Sequence, residues 1–111
     1  MSLLQLLFSK KTDPRVTRLE SDEFLEAISK KKTQLLDVRT GQEFKSGHLR
    51  NAINLNFFDQ GTFRKGLEKL NKHADVYVYC RSGNRSKSAA ELMAKMGFEK
   101  IYDLKRGYSS L

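Results

Sequence analysis

The chain has 111 residues, of which 39% are hydrophobic and 31% charged, as in one globular domain rather than a disordered segment. Lys and Arg number 21 against 13 Asp and Glu, a net charge of +8 that favours anionic partners. The basic residues are scattered, without an aromatic-interleaved stripe, so we expect no nucleic-acid partner. Because Cys80 is the lone cysteine, an internal disulfide and a Cys-based zinc cluster are excluded, and we expect neither a metal nor a cofactor.

The N-terminal apolar run, residues 3–8, is too short to span a bilayer, and its lysines follow it rather than precede it. We predict no integral membrane segment. Residues 1–14 are interpreted as a flexible arm ahead of a domain over residues 15–111. The free thiol favours a reducing compartment, so a cytoplasmic location is expected.

The first half of the domain shows helical spacing followed by two short apolar runs. Apolar residues recur every three to four positions after Ser21, with acidic residues in the first turn, which predicts a helix over residues 22–31. Residues 35–38 and 52–55 are apolar runs that predict two buried strands.

The second half of the domain again alternates between helix and strand patterns. Phe63, Leu67 and Leu70 share a helical face, and residues 76–79 have the β-branched and aromatic content of a central strand. A polar turn over 80–85, a helix over 86–96 stopped by a glycine, and a short strand at 101–102 follow. Strands separated by helices predict a mostly parallel sheet covered on both faces, with ligands at the carboxyl ends of the strands.

Cys80 lies at such an end, just before a helix whose N-terminus offers unpaired N–H groups and partial positive charge. Arg81 and Arg85 add charge, so we expect the pKa of this thiol to fall from about 8.5 into the range of roughly 3.5 to 7.5. Gly83 is expected to supply a positive φ. The prediction requires a solvent-accessible sulfur, and the alternative is a small buried hydrophobe ending a strand.

The length of the loop bears on the reaction. Tyrosine phosphatases carry an Arg six positions after the cysteine, where this chain has Ser86, and its Arg85 comes one residue sooner. A loop one residue shorter favours sulfur over phosphate as the atom attacked. A small phosphatase or arsenate reductase remains the less favoured alternative.

Several segments together resemble single-domain rhodaneses, from about Thr17 to the end of the chain. They are Leu36-Asp37-Val38-Arg39, Glu43-Phe44, Gly47-His48-Leu49, Ala52-Ile53-Asn54, the loop within Val78–Ser86, and Leu104–Gly107. Arg50-Asn51 replaces the family's usual Pro-Gly, where Asn tolerates a left-handed conformation. The resemblance implies an α/β, rhodanese-like three-layer domain with a mostly parallel central sheet of about five short strands and helices on both faces.

Carried over to this chain, the resemblance makes Cys80 the nucleophile that receives sulfane sulfur. The residues expected to bind substrate are Arg81, Ser82, Gly83, Asn84, Arg85 and Ser86. Arg106, where the family usually has Gly, is expected to add to the anion field. Asp37, Arg39 and His48 are interpreted as scaffold, with Arg39 pairing with Glu43.

The aromatic residues are also assigned. Phe57, Phe58 and Phe63 are expected in the core, and Phe44 and Tyr108 near the mouth of the site.

The resulting hypothesis is a sulfurtransferase that takes sulfur from thiosulfate or a persulfide donor and gives it to a thiol or cyanide acceptor through a Cys80 persulfide. The alternative is a carrier that is loaded by a persulfide-donor protein without significant turnover. A basic interaction domain built on Lys30–Lys32 and Lys10–Lys11 is less favoured, since a charge run at a helix end is usually solvated.

Overall fold

The computed structural model describes residues 13–30 and 32–111, over which strands and helices alternate. The strands are β1 (Val16–Leu19), β2 (Gln34–Asp37), β3 (Ile53–Asn54), β4 (Val76–Tyr79) and β5 (Ile101–Leu104). The helices are α1 (Ser21–Lys30), α2 (Gly41–Lys45), α3 (Gln60–Glu68) and α4 (Asn84–Lys95), and a 3₁₀ turn covers Tyr108–Ser110. The predicted arm lies outside the described residues over positions 1–12.

The strands of the described residues form one parallel sheet in the order β1-β5-β4-β2-β3. All strands run the same way, so their carboxyl ends meet at one edge. This confirms the predicted α/β class. At that edge the chain continues from Tyr79 into Cys80, between the ends of β2 and β5.

Alternate residues of the central strands pack into separate hydrophobic layers. Leu36, Val38 and Val78 face one side, where α3 and α4 supply Phe63 and Met93 among others. The other face is smaller and consists of Phe24 from α1 packed with strand residues. These strand residues are Leu35, Tyr77, Tyr79 and Leu104. Two layers of side chains around one sheet confirm the predicted three-layer architecture.

Two elements were missed from the sequence, and one was misplaced. β1 carries Thr17 and Arg18 between its apolar ends, and α2 has only five residues, so neither gives a strong periodic signal. The strand predicted over 52–55 is confined to Ile53 and Asn54, and Ile53 is exposed because β3 is the edge strand.

Two turn predictions are confirmed. Asn51, which replaces the family's usual glycine, has a φ of 67°. Gly97 follows the end of α4 with a φ of 104°. There the N–H groups of Gly97 and Phe98 donate to the carbonyls of Ala94 and Met93, which closes the helix end in the left-handed capping motif.

Over the ranges that the structure describes, no helix is both long enough and apolar enough to cross a bilayer.

Candidate active site

The loop from Cys80 to Arg85 joins β4 to α4 at the carboxyl edge of the sheet. Gly83 has a φ of 99°, as the turn prediction required, and immediately precedes α4. A Cβ at this position would lie 2.0 Å from the Lys105 carbonyl oxygen. Glycine is therefore needed here for both its conformation and its lack of a side chain.

The Cys80 sulfur is the point on which the loop converges. Its Sγ accepts the backbone N–H of Gly83 at 3.1 Å and that of Ser86 at 3.3 Å. The Ser86 Oγ lies 3.5 Å from the same sulfur, within reach of the thiol proton. Both amides belong to the first turn of α4 or the residue before it, where backbone N–H groups are left unpaired and the helix dipole is positive. This arrangement favours negative charge on sulfur.

The prediction that Cys80 is open to solvent is wrong for this structure. Its exposed fraction is 0%, and it packs in the core with Val78 and Ala89. The physical reason is tertiary packing of this side chain among the core residues. The C-terminal segment also binds the loop, since the Tyr108 N–H donates to the Cys80 carbonyl at 2.8 Å. The Ser109 N–H likewise donates to the Arg81 carbonyl at 2.9 Å, so two backbone hydrogen bonds join the loop to the C-terminal segment.

Arg85 is paired with Glu43, and the predicted pairing of Glu43 with Arg39 is wrong. Two guanidinium nitrogens of Arg85 donate to the Glu43 carboxylate at 2.7 and 3.0 Å. Arg39 instead bonds to Asp37 and to the Gly47 carbonyl, each at 2.7 Å. The reason is a capping box in which Glu43 turns back toward the Thr40 N–H, placing its carboxylate on the loop side of α2.

The Glu43–Arg85 pair changes the charge expected around the sulfur. Hydrogen bonding from Arg85 is the largest effect on Glu43 and lowers the pKa of its carboxyl to about 2. Glu43 therefore neutralises the cation that the sequence assigned to the anion field. Arg81 stays exposed beside Cys80.

The other predicted site residues differ in how far they are buried. Gly83 and Ser86 are buried against the sulfur, whereas Ser82 and Asn84 are exposed at the loop surface. Arg106 is exposed, and its Nε lies 3.5 Å from a carboxylate oxygen of Glu20, which offsets its charge. Its contribution to the anion field stays a prediction.

A cleft of about 340 Å³ adjoins the loop and is lined by Arg39, Glu43, Ser46, Arg81, Tyr108 and Ser109. Tyr108 thus lies at the mouth of the site, as predicted, while Phe44 stacks on His48. Larger clefts exist, including one of about 540 Å³ beside Lys32 and Arg50. No residue of the Cys80 loop lines them, so we assign the site to the smaller cleft.

Phe58 and Arg18 are residues of the site that the sequence analysis missed. Phe58 was expected in the core, yet it is 68% exposed, with the Arg85 guanidinium 5.1 Å from its ring centre. The available signal was Asp59, which caps α3 and leaves the preceding residue outside the helix. Arg18 reaches the loop from β1, donating to the Gly83 carbonyl at 3.1 Å. No sequence signal marks that contact.

The fold and the site together define a parallel α/β domain with a cysteine enclosed by an amide-rich loop at a strand's carboxyl end. Residues 20–111 match the Rhodanese-like domain family. The chain belongs to the Rhodanese-like domain family.

Individual relatives differ in length and in stated activity. The chain is 36% identical over 95 residues to the tRNA uridine(34) hydroxylase of Onion yellows phytoplasma (strain OY-M), covering 83% of this chain and 31% of that protein. The thiosulfate sulfurtransferase GlpE of Shewanella oneidensis is 28% identical over 92 residues, which cover 83% of this chain and 88% of that protein. The chain spans less than half the length of several curated relatives that it matches.

Solved structures give the same fold. The crystal structure of a rhodanese-like domain protein from Staphylococcus aureus is 26% identical and superposes with a TM-score of 0.73, over 83% of this chain and 87% of that one.

Proposed function

We propose that this chain transfers sulfane sulfur, from thiosulfate or a persulfide donor to a thiophilic acceptor, through a persulfide on Cys80. The observation that carries the proposal is the convergence of the Gly83 and Ser86 N–H groups on the Cys80 sulfur. A negatively charged sulfur is common to the attacking thiolate and to the persulfide, so one set of donors stabilises both. The similarity to the GlpE thiosulfate sulfurtransferase over nearly its full length supports thiosulfate as donor.

The reaction has two displacement steps. The Cys80 thiolate attacks the outer sulfur of thiosulfate, a sulfur–sulfur bond forms, and sulfite leaves with the electron pair of the bond that breaks. Cyanide or a thiolate then attacks the terminal sulfur of the persulfide, which regenerates the Cys80 thiolate. Because Cys80 is the lone cysteine, an outside acceptor must complete the cycle.

Transfer requires an opening movement, since Cys80 is fully buried in this structure. The contacts that tie the loop to neighbouring segments include the Glu43–Arg85 pair and the hydrogen bonds from the Tyr108 and Ser109 N–H groups to loop carbonyls. Opening toward the 340 Å³ cleft would bring the sulfur beside Arg81, whose charge suits an anionic donor.

The burial of Cys80 favours one second candidate, a carrier loaded by a partner protein. Docking of a persulfide donor could supply the free energy that opens the loop, which a small anion supplies less readily. Such a carrier would form the same persulfide but turn over thiosulfate and cyanide negligibly.

The test is mass spectrometry of the intact protein after incubation with thiosulfate. We expect a gain of one sulfur atom on Cys80, which cyanide removes as thiocyanate, and no gain in Cys80→Ser. Persulfide formed from a cysteine persulfide donor protein but not from thiosulfate would favour the carrier. A native protein that takes up sulfur from neither source would refute both.

A phosphatase is tested in the same preparation. Hydrolysis of p-nitrophenyl phosphate that disappears in Cys80→Ser would favour phosphate chemistry, and we expect none.

A further inference from the structure

A groove runs between helix α1 and the edge strand β3. One part of it is a cleft of about 540 Å³ whose lining includes Ile28, Lys32, Arg50 and Ile53. A second cleft, of about 590 Å³, shares Ile28 and Arg50 with the first and extends it to Leu25, about one turn earlier on α1. The two clefts form one elongated surface, which we call the α1–β3 groove.

The α1–β3 groove lies at the opposite edge of the sheet from Cys80. Its lining residues include Leu35 and Ile53, near the starts of β2 and β3. The strands are parallel, so their starts share the amino edge, whereas Cys80 follows the carboxyl end of β4. No residue of the cysteine loop lines either cleft. A ligand in this groove is therefore separate from the sulfur chemistry.

Apolar side chains are exposed along the groove. Leu25 is 38% exposed and Ile53 is 46% exposed, and they are two of the four large hydrophobic residues exposed within the described ranges. Ile53 stays open because β3 is the edge strand and pairs with β2 alone. A partner with apolar side chains would gain free energy by removing this surface from water.

Positive charge lies on the same groove. Lys32 and Arg50 are exposed, and neither forms an ion pair within the described part of the chain. No carboxylate is among the described residues that line the two clefts. Glu26 of α1 pairs with Lys30 instead, and Asp75 lines a separate cleft that also includes Lys32. The groove thus complements a surface that is both apolar and negatively charged.

We propose that the α1–β3 groove binds a peptide segment of a partner protein that carries acidic side chains beside aliphatic ones. The groove follows α1 from Leu25 to Lys32, about two helical turns, which is the elongated shape that a peptide fills. Apolar contacts with Leu25 and Ile53 would supply affinity. Lys32 and Arg50 would select for acidic partners and speed their association.

Other occupants match the groove less well. Residues 1–12 of this chain contain two Lys and neither Asp nor Glu, so they do not complement its charge. A second copy carries the same net charge of +8, which opposes self-association. Single-stranded RNA is negative, but the described lining contains no aromatic side chain on which bases could stack.

The experiment first selects peptides from a random dodecapeptide library displayed on phage, with the full chain as bait. The same library is selected against the double variant Arg50→Gln with Ile53→Ser, which alters exposed side chains only. We expect the peptides enriched by the wild type alone to combine Asp or Glu with Leu, Ile or Val. Identical enrichment by both baits, or enrichment of neutral or basic peptides, would overturn the proposal.

Fluorescence anisotropy with one selected peptide then measures Kd for single variants. Ile53→Ser should raise Kd about tenfold, because an apolar contact is lost. Arg50→Gln should raise Kd about threefold at low ionic strength and leave it nearly unchanged at about 0.5 M salt, because exposed charges are screened.

Two variants outside the groove are matched controls. Leu111 is 46% exposed, like Ile53, and Arg64 is an exposed cation on α3, which packs on the other face of the sheet. Leu111→Ser and Arg64→Gln should bind the peptide like the wild type. Weakening by these controls as large as that by the groove variants would overturn the proposal.

The alternative occupants are tested in the same assay. A synthetic peptide of residues 1–12, or oligouridine RNA, should not displace the selected peptide, and displacement by either would overturn the assignment to an acidic partner. Sedimentation of the wild type tests the second copy, and a dimer that Ile53→Ser dissociates would overturn the assignment as well.

The outcome is independent of the proposed function. Cys80→Ser should bind the selected peptide like the wild type, and the groove variants should form the persulfide at the wild-type rate. Peptide binding in a protein that takes up no sulfur would refute the proposed function alone. Persulfide formation in a protein that enriches no acidic peptides would refute the docking groove alone.

Discussion

The carboxylate of Glu43 accepts hydrogen bonds from two nitrogens of the Arg85 guanidinium, and this ion pair joins the short helix α2 to the cysteine loop. Both side chains are mostly buried, with 25% and 19% exposed. The folded-state pKa of Glu43 is lowered from 4.5 to about 2. A depressed carboxyl pKa means that the pair stabilises the fold above about pH 4.5 and that this stabilisation is lost as the pH falls through about 2.

We therefore predict that Glu43→Gln lowers the free energy of unfolding by about 2 kcal/mol at pH 7 and by less at pH 3. Urea unfolding at the two pH values measures the difference. Glu26→Gln is the control, because the Glu26–Lys30 pair is exposed and such pairs contribute little. If Glu43→Gln lowers the free energy of unfolding equally at pH 7 and pH 3, the ion pair is not the source of the lost stability.

Two glycines of α3 should respond oppositely to alanine. A Cβ at Gly61 would have open space around it, with the nearest atom 3.9 Å away, and alanine favours the helix by about 0.5–1 kcal/mol. A Cβ at Gly66 would lie 2.4 Å from the Leu55 side chain, forcing a shift in the core. We expect the midpoint temperature of thermal unfolding to rise for Gly61→Ala and to fall for Gly66→Ala. A shift of the same sign in both variants would contradict this packing.

Gly107 should be required for the cysteine loop to keep its conformation. A Cβ there would fall 2.3 Å from the Arg81 carbonyl oxygen and 2.6 Å from the Ser82 nitrogen, both backbone atoms. Gly107→Ala must displace the loop, and we expect persulfide formation from thiosulfate to slow about a hundredfold, as for a misplacement of about 1 Å.

The matched control for Gly107 is Gly97→Ala. Gly97 also has a positive φ, but its nearest neighbour would be the flexible Lys72 side chain at 3.8 Å. This variant should lose about 1 kcal/mol of stability from backbone strain and keep its rate of persulfide formation. Equal loss of rate in both variants would mean that positive φ, rather than contact with the loop, explains the effect.

These contacts show why the sequence predicted the sheet better than the site. β4 was predicted because its four residues are apolar and buried on both faces. β1 was missed because only Val16 within it is buried. Gly83 and Ser86 could be assigned from the local turn, whereas Arg18 meets Gly83 from 65 residues away. Tyr108 and Ser109 likewise bond to the loop from the end of the chain, and Cys80 packs among core residues, so the burial of the sulfur depends on tertiary packing that residue spacing does not encode.

Removing Arg39 should destabilise the fold strongly. The Asp37 carboxylate is fully buried, and Arg39 bonds to it with Nε at 3.0 Å and Nη2 at 2.7 Å. The guanidinium also lies 4.4 Å from the ring centre of Tyr108, whose N–H holds the Cys80 carbonyl. Removing one partner leaves the other charge buried and unpaired, so Arg39→Ala should lower the free energy of unfolding by about 3–5 kcal/mol.

The double variant Asp37→Asn with Arg39→Ala separates the unpaired charge from lost packing. If the buried carboxylate is the main source of the destabilisation, the double variant should recover a substantial part of the stability lost in Arg39→Ala. Arg39→Lys should fall between Arg39→Ala and the wild type, because an ammonium keeps the charge but cannot make the two-nitrogen contact. Urea unfolding at pH 7 measures all of these variants, and an Arg39→Ala deficit below about 1 kcal/mol would contradict a buried pair.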